Sequence, residues 1–203
     1  NHRETAMAEI LIVYYSRNGS VAQLARHVAR GVEEVPGMRA RLRSVPPVAP
    51  VTQVAQPPEP AEGASYATLA DLRECAGIIL GSPTRFGNMA APLKHYLDSS
   101  GAEWASGALV GKPAAMFTST STLHGGQEST LLSMLMPLLH HGALIVGIPF
   151  TEPEINTTTT GGTPYGASHV AGASGDRAIS DDERTLARKL GRRVAEIAAK
   201  LGT

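Results

Sequence analysis

The stretch Glu9-Ile-Leu-Ile-Val-Tyr-Tyr-Ser-Arg-Asn-Gly-Ser-Val21 decides the fold. Residues 9–15 form a continuous β-branched and aromatic run. A run apolar on both faces reads as a strand buried in a parallel sheet, because crossover helices cover both sides of such a sheet. The run stops at Ser16-Arg17-Asn18-Gly19-Ser20. Beyond it Val21, Leu24, Ala25, Val28, Ala29 and Val32 recur at helical spacing. Asn-Gly is also a hairpin signal, but the helical period downstream rejects a hairpin. A buried strand therefore feeds a helix through a short polar loop, and Pro36-Gly37 closes that helix.

The same alternation continues along the chain. Met38 to Val45 alternates apolar and basic residues and predicts an edge strand. Leu69 to Glu74 is helical, and Ala76-Gly-Ile-Ile-Leu-Gly81 is a second buried strand, broken off by Ser82-Pro83. Pro92 to Asp98 predicts a helix, with proline in its first turn. A strand follows at 112–118, a polar loop at 119–126, and a helix from Glu128 to His141 that Gly142 terminates. Ala143 to Ile148 is the fifth strand. Ser180-Asp-Asp-Glu183 is a capping box opening a last helix to about Leu201. Five strands alternating with helices predict a doubly wound five-stranded parallel α/β sheet with helices on both faces. There is no internal repeat.

One domain over 8–203 accounts for this length. Residues 1–7 read either as a disordered start or as an added remnant, with Met7 a candidate for the natural initiator. Six of the 14 prolines lie between Pro46 and Pro60, so 45–63 is expected to be a proline-rich loop. Residues 150–179, rich in Thr, Gly, Ser and Pro, are expected to be an irregular insertion. The 18 basic and 18 acidic residues cancel, which gives no electrostatic reason to bind nucleic acid or an anionic membrane. A single cysteine, Cys75, excludes an intramolecular disulfide and a multi-cysteine zinc site, and no metal is expected. No apolar run approaches a membrane span, so insertion is not expected. The expected location is the cytoplasm, a reducing compartment.

Ligands of such sheets bind at the carboxyl ends of the strands, where strand order reverses. G-x-G-x-x-G and Walker signatures are missing. The acids that a phosphorylated receiver needs at the ends of the first and third strands are missing too. The loop after the first strand, Ser16 to Val21, combines a helix N-terminus with two hydroxyls and a glycine, which suits a phosphate; an ordinary serine-capped turn is the plain alternative. The loop after the third strand, Ser82 to Asn88, offers Arg85, Phe86 and Gly87, groups suited to a planar heteroaromatic ligand, unless Phe86 tucks into the core. The loop after the fourth, Thr118 to Gln127, is rich in hydroxyls and glycine, either a donor nest or a solvated loop.

Six motifs in order extend this reading: Ser16–Val21, Pro83-Thr-Arg-Phe-Gly-Asn-Met89, Trp104-Ala-Ser-Gly-Ala-Leu109, Gly125-Gly-Gln-Glu128, His140-His-Gly142 and Gly161-Gly-Thr-Pro-Tyr-Gly-Ala167. Together they resemble the WrbA family of flavodoxin-like NAD(P)H:quinone oxidoreductases, over nearly the whole chain. The resemblance implies a flavodoxin-like fold, non-covalent FMN, NADH or NADPH as cosubstrate, a quinone substrate and a homotetramer built as a dimer of dimers. It implies FMN contacts from Ser16, Arg17, Asn18, Gly19, Ser20 and Val21, and from Pro83, Thr84, Arg85, Phe86, Gly87 and Asn88. It implies further contacts from Ser119, Thr120, Ser121, Thr122, Leu123, His124 and Gly125, and from His140. Trp104 matches the position that meets the substrate. Asn18 stands at the position linked to the nicotinamide cofactor, where the family usually carries an aromatic residue, and Ser20 stands where it often carries histidine.

The expected chemistry is two-electron, ping-pong hydride transfer through FMN, with no side chain required as catalytic acid or base. The alternatives are a flavodoxin-like electron carrier, a regulatory adaptor, or a reductase that releases reduced flavin. Zero net charge counts against a carrier that docks on basic partners, and no helix-turn-helix signal supports DNA binding.

Overall fold

A computed structural model describes residues 7–48, 60 and 62–202 of the chain. The expected disordered start, apart from Met7, and most of the proline-rich loop lie outside the described residues.

The first strand, β1 (Ala8–Tyr14), leads through the polar loop into α1 (Ser20–Glu33) and β2 (Met38–Ser44). Then come α2 (Leu69–Glu74), β3 (Gly77–Arg85), a two-residue β4 (Asn88–Met89), α3 (Ala91–Asp98) and α4 (Gly101–Ala105). The chain continues with β5 (Pro113–Thr120), α5 (Ser129–His140), β6 (Leu144–Ile145), α6 (Pro153–Thr157), β7 (Ala167–Val170) and α7 (Asp181–Leu201). The main sheet runs β2-β1-β3-β5-β6, all parallel, and β7 also pairs in parallel with β5.

Alternation along buried strands builds two cores from one sheet. Ile10, Ile12 and Tyr14 of β1, Ile79 of β3 and Ala115 and Phe117 of β5 face α1 and α7. Leu11, Val13, Ile78, Leu80, Ala114 and Met116 face the opposite side, with Leu93 and Tyr96 of α3 and Leu131 and Met134 of α5. The α1–α7 contact is close enough to require glycine. A Cβ on Gly31 would lie 1.8 Å from the Arg188 carbonyl oxygen, and one on Gly191 2.0 Å from that of Val28.

Three expectations are corrected. The strand expected over 143–148 is only Leu144–Ile145, because it pairs with Pro113 and Ala114 alone. The fifth position in the sheet is completed by β7, which pairs with Phe117 to Thr120. Residues 150–179 are therefore not wholly irregular; they contain α6 and β7. β3 also runs past Pro83 to Arg85. The register with β1 ends at Tyr14 and Gly81, so no partner on that side needs the N–H that Pro83 lacks.

Candidate functional site

Parallel strands that end together bring the loops that follow them together. The loop after β1 and the carboxyl ends of β3 and β5 close around a cleft of about 200 Å³. It is lined by Ser16, Arg17, Asn18, Ser20, Val21, Pro83, Thr84, Arg85, Ser119, Thr120 and Ser121, and by Ala171 and Gly175 from the loop after β7. No acidic side chain lines it, and two arginines do. Gly19 turns the chain into α1 at φ +89°, in the left-handed region that glycine enters freely. α1 has no side-chain cap and no acid in its first turn. The Ala22 N–H donates to Ser16 Oγ at 3.3 Å, while those of Ser20 and Val21 have no intrahelical acceptor. Free amides, hydroxyls and a positive helix end make this an anion site.

The second wall is a tight hairpin. Thr84 pairs with Met89 and Arg85 with Asn88, leaving Phe86-Gly87 as a two-residue turn. Both have positive φ, 52° and 78°. That is the primed geometry favoured in hairpins, imposed here on a phenylalanine. The Phe86 ring is fully exposed rather than tucked into the core. The hairpin is anchored to α5. The Thr130 hydroxyl donates to Thr84 Oγ1 at 2.9 Å, and the Met89 N–H to Ser133 Oγ at 2.9 Å.

A buried amide organises the third wall. Gln127 Nε2 donates to Thr120 Oγ1 at 2.6 Å and to the His169 carbonyl at 3.1 Å, joining β5, the following loop and β7. Ser119 and Thr120 are the last residues of β5, while Ser121 to Gly125 are exposed. Leu123 and His124 line a neighbouring cleft of about 470 Å³, with Gln127, Glu128, Thr160, Gly162 and Thr163.

Glu183 fixes the rim that faces both clefts. Its carboxylate accepts from the N–H groups of Gly161 at 2.9 Å, Val170 at 3.0 Å and Ser180 at 2.8 Å, and from His169 Nδ1–H at 2.8 Å. Burial alone would raise its pKa, but these hydrogen bonds prevail and hold it at about 2.

Trp104 and His140 stand apart. They line a third cleft of about 400 Å³ with Met136, Pro137, Ser100 and His141, and neither lines the cleft of the three loops. Trp104 Nε1 donates to the His140 carbonyl at 2.8 Å, and the indole remains 56% exposed. Beneath it His141 is buried, with Nε2 3.1 Å from Ser100 Oγ; burial lowers its pKa although Glu103 acts to raise it.

Sequence reasoning misses Ala171 and Gly175, and it places Gln127 and Glu183 in motifs without their bridging roles. The first two lie in a Gly- and Ser-containing segment directly after a strand. That signal was available once β7 was recognised. Glu183 was read only as half of a capping box.

The structure fits FMN on its own terms. An acid-free, amide-rich pocket at the start of α1 suits a phosphate. The exposed aromatic hairpin and the hydroxyl-lined end of β5 border the space beside it, where a flat ring would lie.

Comparison with known proteins agrees. Residues 9–152 match the family described as NADPH-dependent FMN reductase. A relative from Solidesulfovibrio magneticus named NAD(P)H dehydrogenase (quinone) is 43% identical over 200 residues, 95% of this chain and 98% of its own. One of the same name from Geobacter sulfurreducens is 46% identical with the same coverage. Among solved structures, a WrbA-like flavodoxin from Agrobacterium tumefaciens superposes with TM-score 0.67 at 24% identity, covering 95% of this chain and 98% of that one. An archaeal flavodoxin gives 0.62 at 18% identity, covering 94% and 99%. Among the described residues no helix is long and apolar enough to cross a membrane.

Proposed function

From the premise that this chain belongs to the family of NADPH-dependent FMN reductases and NAD(P)H dehydrogenases (quinone), we propose how its own residues carry out that family's reaction. The activity is FMN-dependent oxidation of NAD(P)H by quinones. The observation that carries the reading is the convergence of the β1–α1 loop and the carboxyl ends of β3 and β5 on an acid-free cleft at the start of α1.

When bound, FMN supplies reversible two-electron chemistry, accepting hydride from a reduced nicotinamide and passing it to a quinone. Ser16, Ser20 and the free amides at the start of α1 would hold the phosphate. Thr84, Arg85 and Phe86 would border the ring on one side, and Ser119 to Gly125 on the other. Arg85, whose Nη1 donates to the Thr84 carbonyl at 2.7 Å, would place positive charge beside a bound ring and so favour its reduced, anionic form. A bound ring with one open face would take nicotinamide and quinone in turn, which is the ping-pong sequence of this proposal. No side chain of the cleft is required as acid or base.

The homotetramer belongs to this proposal. α5 exposes Leu132, Met136 and Leu139 along one stripe, next to the exposed Trp104. Cover of that stripe by another copy would bring Trp104 and His140 toward a neighbouring cleft, which accounts for their separation from it within one chain. A single flavodoxin-like domain over 8–203, working in the cytoplasm, completes the reading.

The test is steady-state turnover of NADH or NADPH with benzoquinone, without a partner reductase, together with the mass by light scattering. Turnover with retained FMN and a four-chain mass supports the proposal. Flavin bound without turnover would favour an electron carrier, and loss of FMN during turnover a flavin-releasing reductase.

A further inference from the structure

A further cavity, of about 550 Å³, adjoins the phosphate loop on its β2 side. It shares Ser16 and Arg17 with the cleft, so the two spaces meet at the phosphate loop. Its walls carry Tyr15 and Tyr66, and Arg26 reaches in from α1. Ala22 and Arg26 are four residues apart and share one helix face. The small side chain of Ala22 leaves space below the guanidinium. Arg17 and Arg26 are both exposed, and among the described residues neither forms a hydrogen bond or ion pair. Elsewhere among the described residues Arg39 and Arg41 are engaged with Glu9, Arg73 with Glu103 and Arg188 with Glu34. Two free guanidiniums beside two aromatic rings suit an anion attached to a flat group.

We infer that this cavity receives the adenosine 2′-phosphate of NADPH, that Arg26 is the residue that selects NADPH over NADH, and that Arg17 bridges the cavity to the flavin cleft. The inference rests on the quinone reductase reading and names the nucleotide for it. Arginine is the side chain that accommodates a 2′-phosphate in nucleotide sites, whereas an acid there favours the free 2′-hydroxyl. Glu62, exposed on the rim of the same cavity, opposes the phosphate and limits the preference. Arg26 does not line the flavin cleft, so its replacement leaves FMN content unchanged.

The experiment compares kcat/KM for NADPH and NADH in the FMN-loaded protein, in Arg26→Ala and in Glu62→Gln. The expected wild-type preference for NADPH is about tenfold, roughly one charge-assisted hydrogen bond. Arg26→Ala brings the ratio close to one through KM, Glu62→Gln raises it, and added salt lowers it in the wild type. No wild-type preference, or an unchanged ratio in Arg26→Ala, overturns the inference. If neither nucleotide reduces the flavin, the activity reading itself has failed, and titration with 2′-AMP against 5′-AMP decides the cavity. Tighter binding of 2′-AMP that Arg26→Ala abolishes sustains the site; equal binding of the two overturns it.

Discussion

Glu183 and His169 meet 2.8 Å apart in the interior, each only 1% exposed. The pair ties the start of α7 to β7 and to the loop at Gly161. Burial would raise the Glu183 pKa, yet the donors around it hold it at about 2, below the ordinary 4.5. A depressed carboxylate stabilises the fold fully above the unfolded pKa and loses that contribution as pH falls through the folded one. The contribution is about 3 kcal/mol at neutral pH, lost between about pH 4.5 and 2. Glu183→Gln therefore lowers Tm at pH 7 and flattens the acid limb of the stability curve. An unchanged acid limb in denaturant titrations would contradict this role.

The glycines at the α1–α7 contact give a second prediction. In an open helix Gly→Ala stabilises by about 1 kcal/mol. At Gly191 the new methyl would sit 2.0 Å from the Val28 carbonyl oxygen, which is backbone and cannot swing aside. Gly191→Ala is expected to destabilise by about 2 kcal/mol or more as the helices are forced apart. A higher midpoint in chemical denaturation would show that the contact is looser than described.

Phe86 stores strain where the flavin ring is expected. Its φ of 52° is unfavourable for a bulky side chain, by about 1–2 kcal/mol, and its exposed ring gains little from packing. Phe86→Asn is expected to raise Tm of the apoprotein while weakening FMN binding. Both quantities moving in the same direction would separate the strain from the site.

Gly19 tests the phosphate loop. A Cβ there meets no protein atom within 4 Å, so the fold itself has room for a side chain. The φ of +89° and the space of the ligand do not. Gly19→Val is expected to fold, by circular dichroism, and to purify without FMN. Stoichiometric FMN in that variant would remove the assignment.

Much of this was legible in the sequence because local and global signals agree. The run from Ile10 to Tyr14 is apolar on both faces and lies between two helical layers. Leu69–Glu74 and the Ser180–Glu183 capping box stand as read. The rest depends on pairing across long separations. Ala167–Val170 is a strand because Phe117 to Thr120 present an open edge to it, and its Thr- and Gly-rich surroundings hide this. Gln127 gains its position from Thr120 and His169, which no spacing encodes. The separation of Trp104 and His140 from the three-loop cleft is likewise a three-dimensional fact, invisible to motif order.

The most direct measurement is an anaerobic titration of the FMN-loaded protein with NADPH, followed by benzoquinone, at the visible absorbance of the flavin. The account predicts bleaching by one equivalent of NADPH per bound FMN, then full recovery on one equivalent of quinone, with no external reductase. A flavin that stays bound but is not bleached, or one that bleaches and is not reoxidised by quinone, would contradict it.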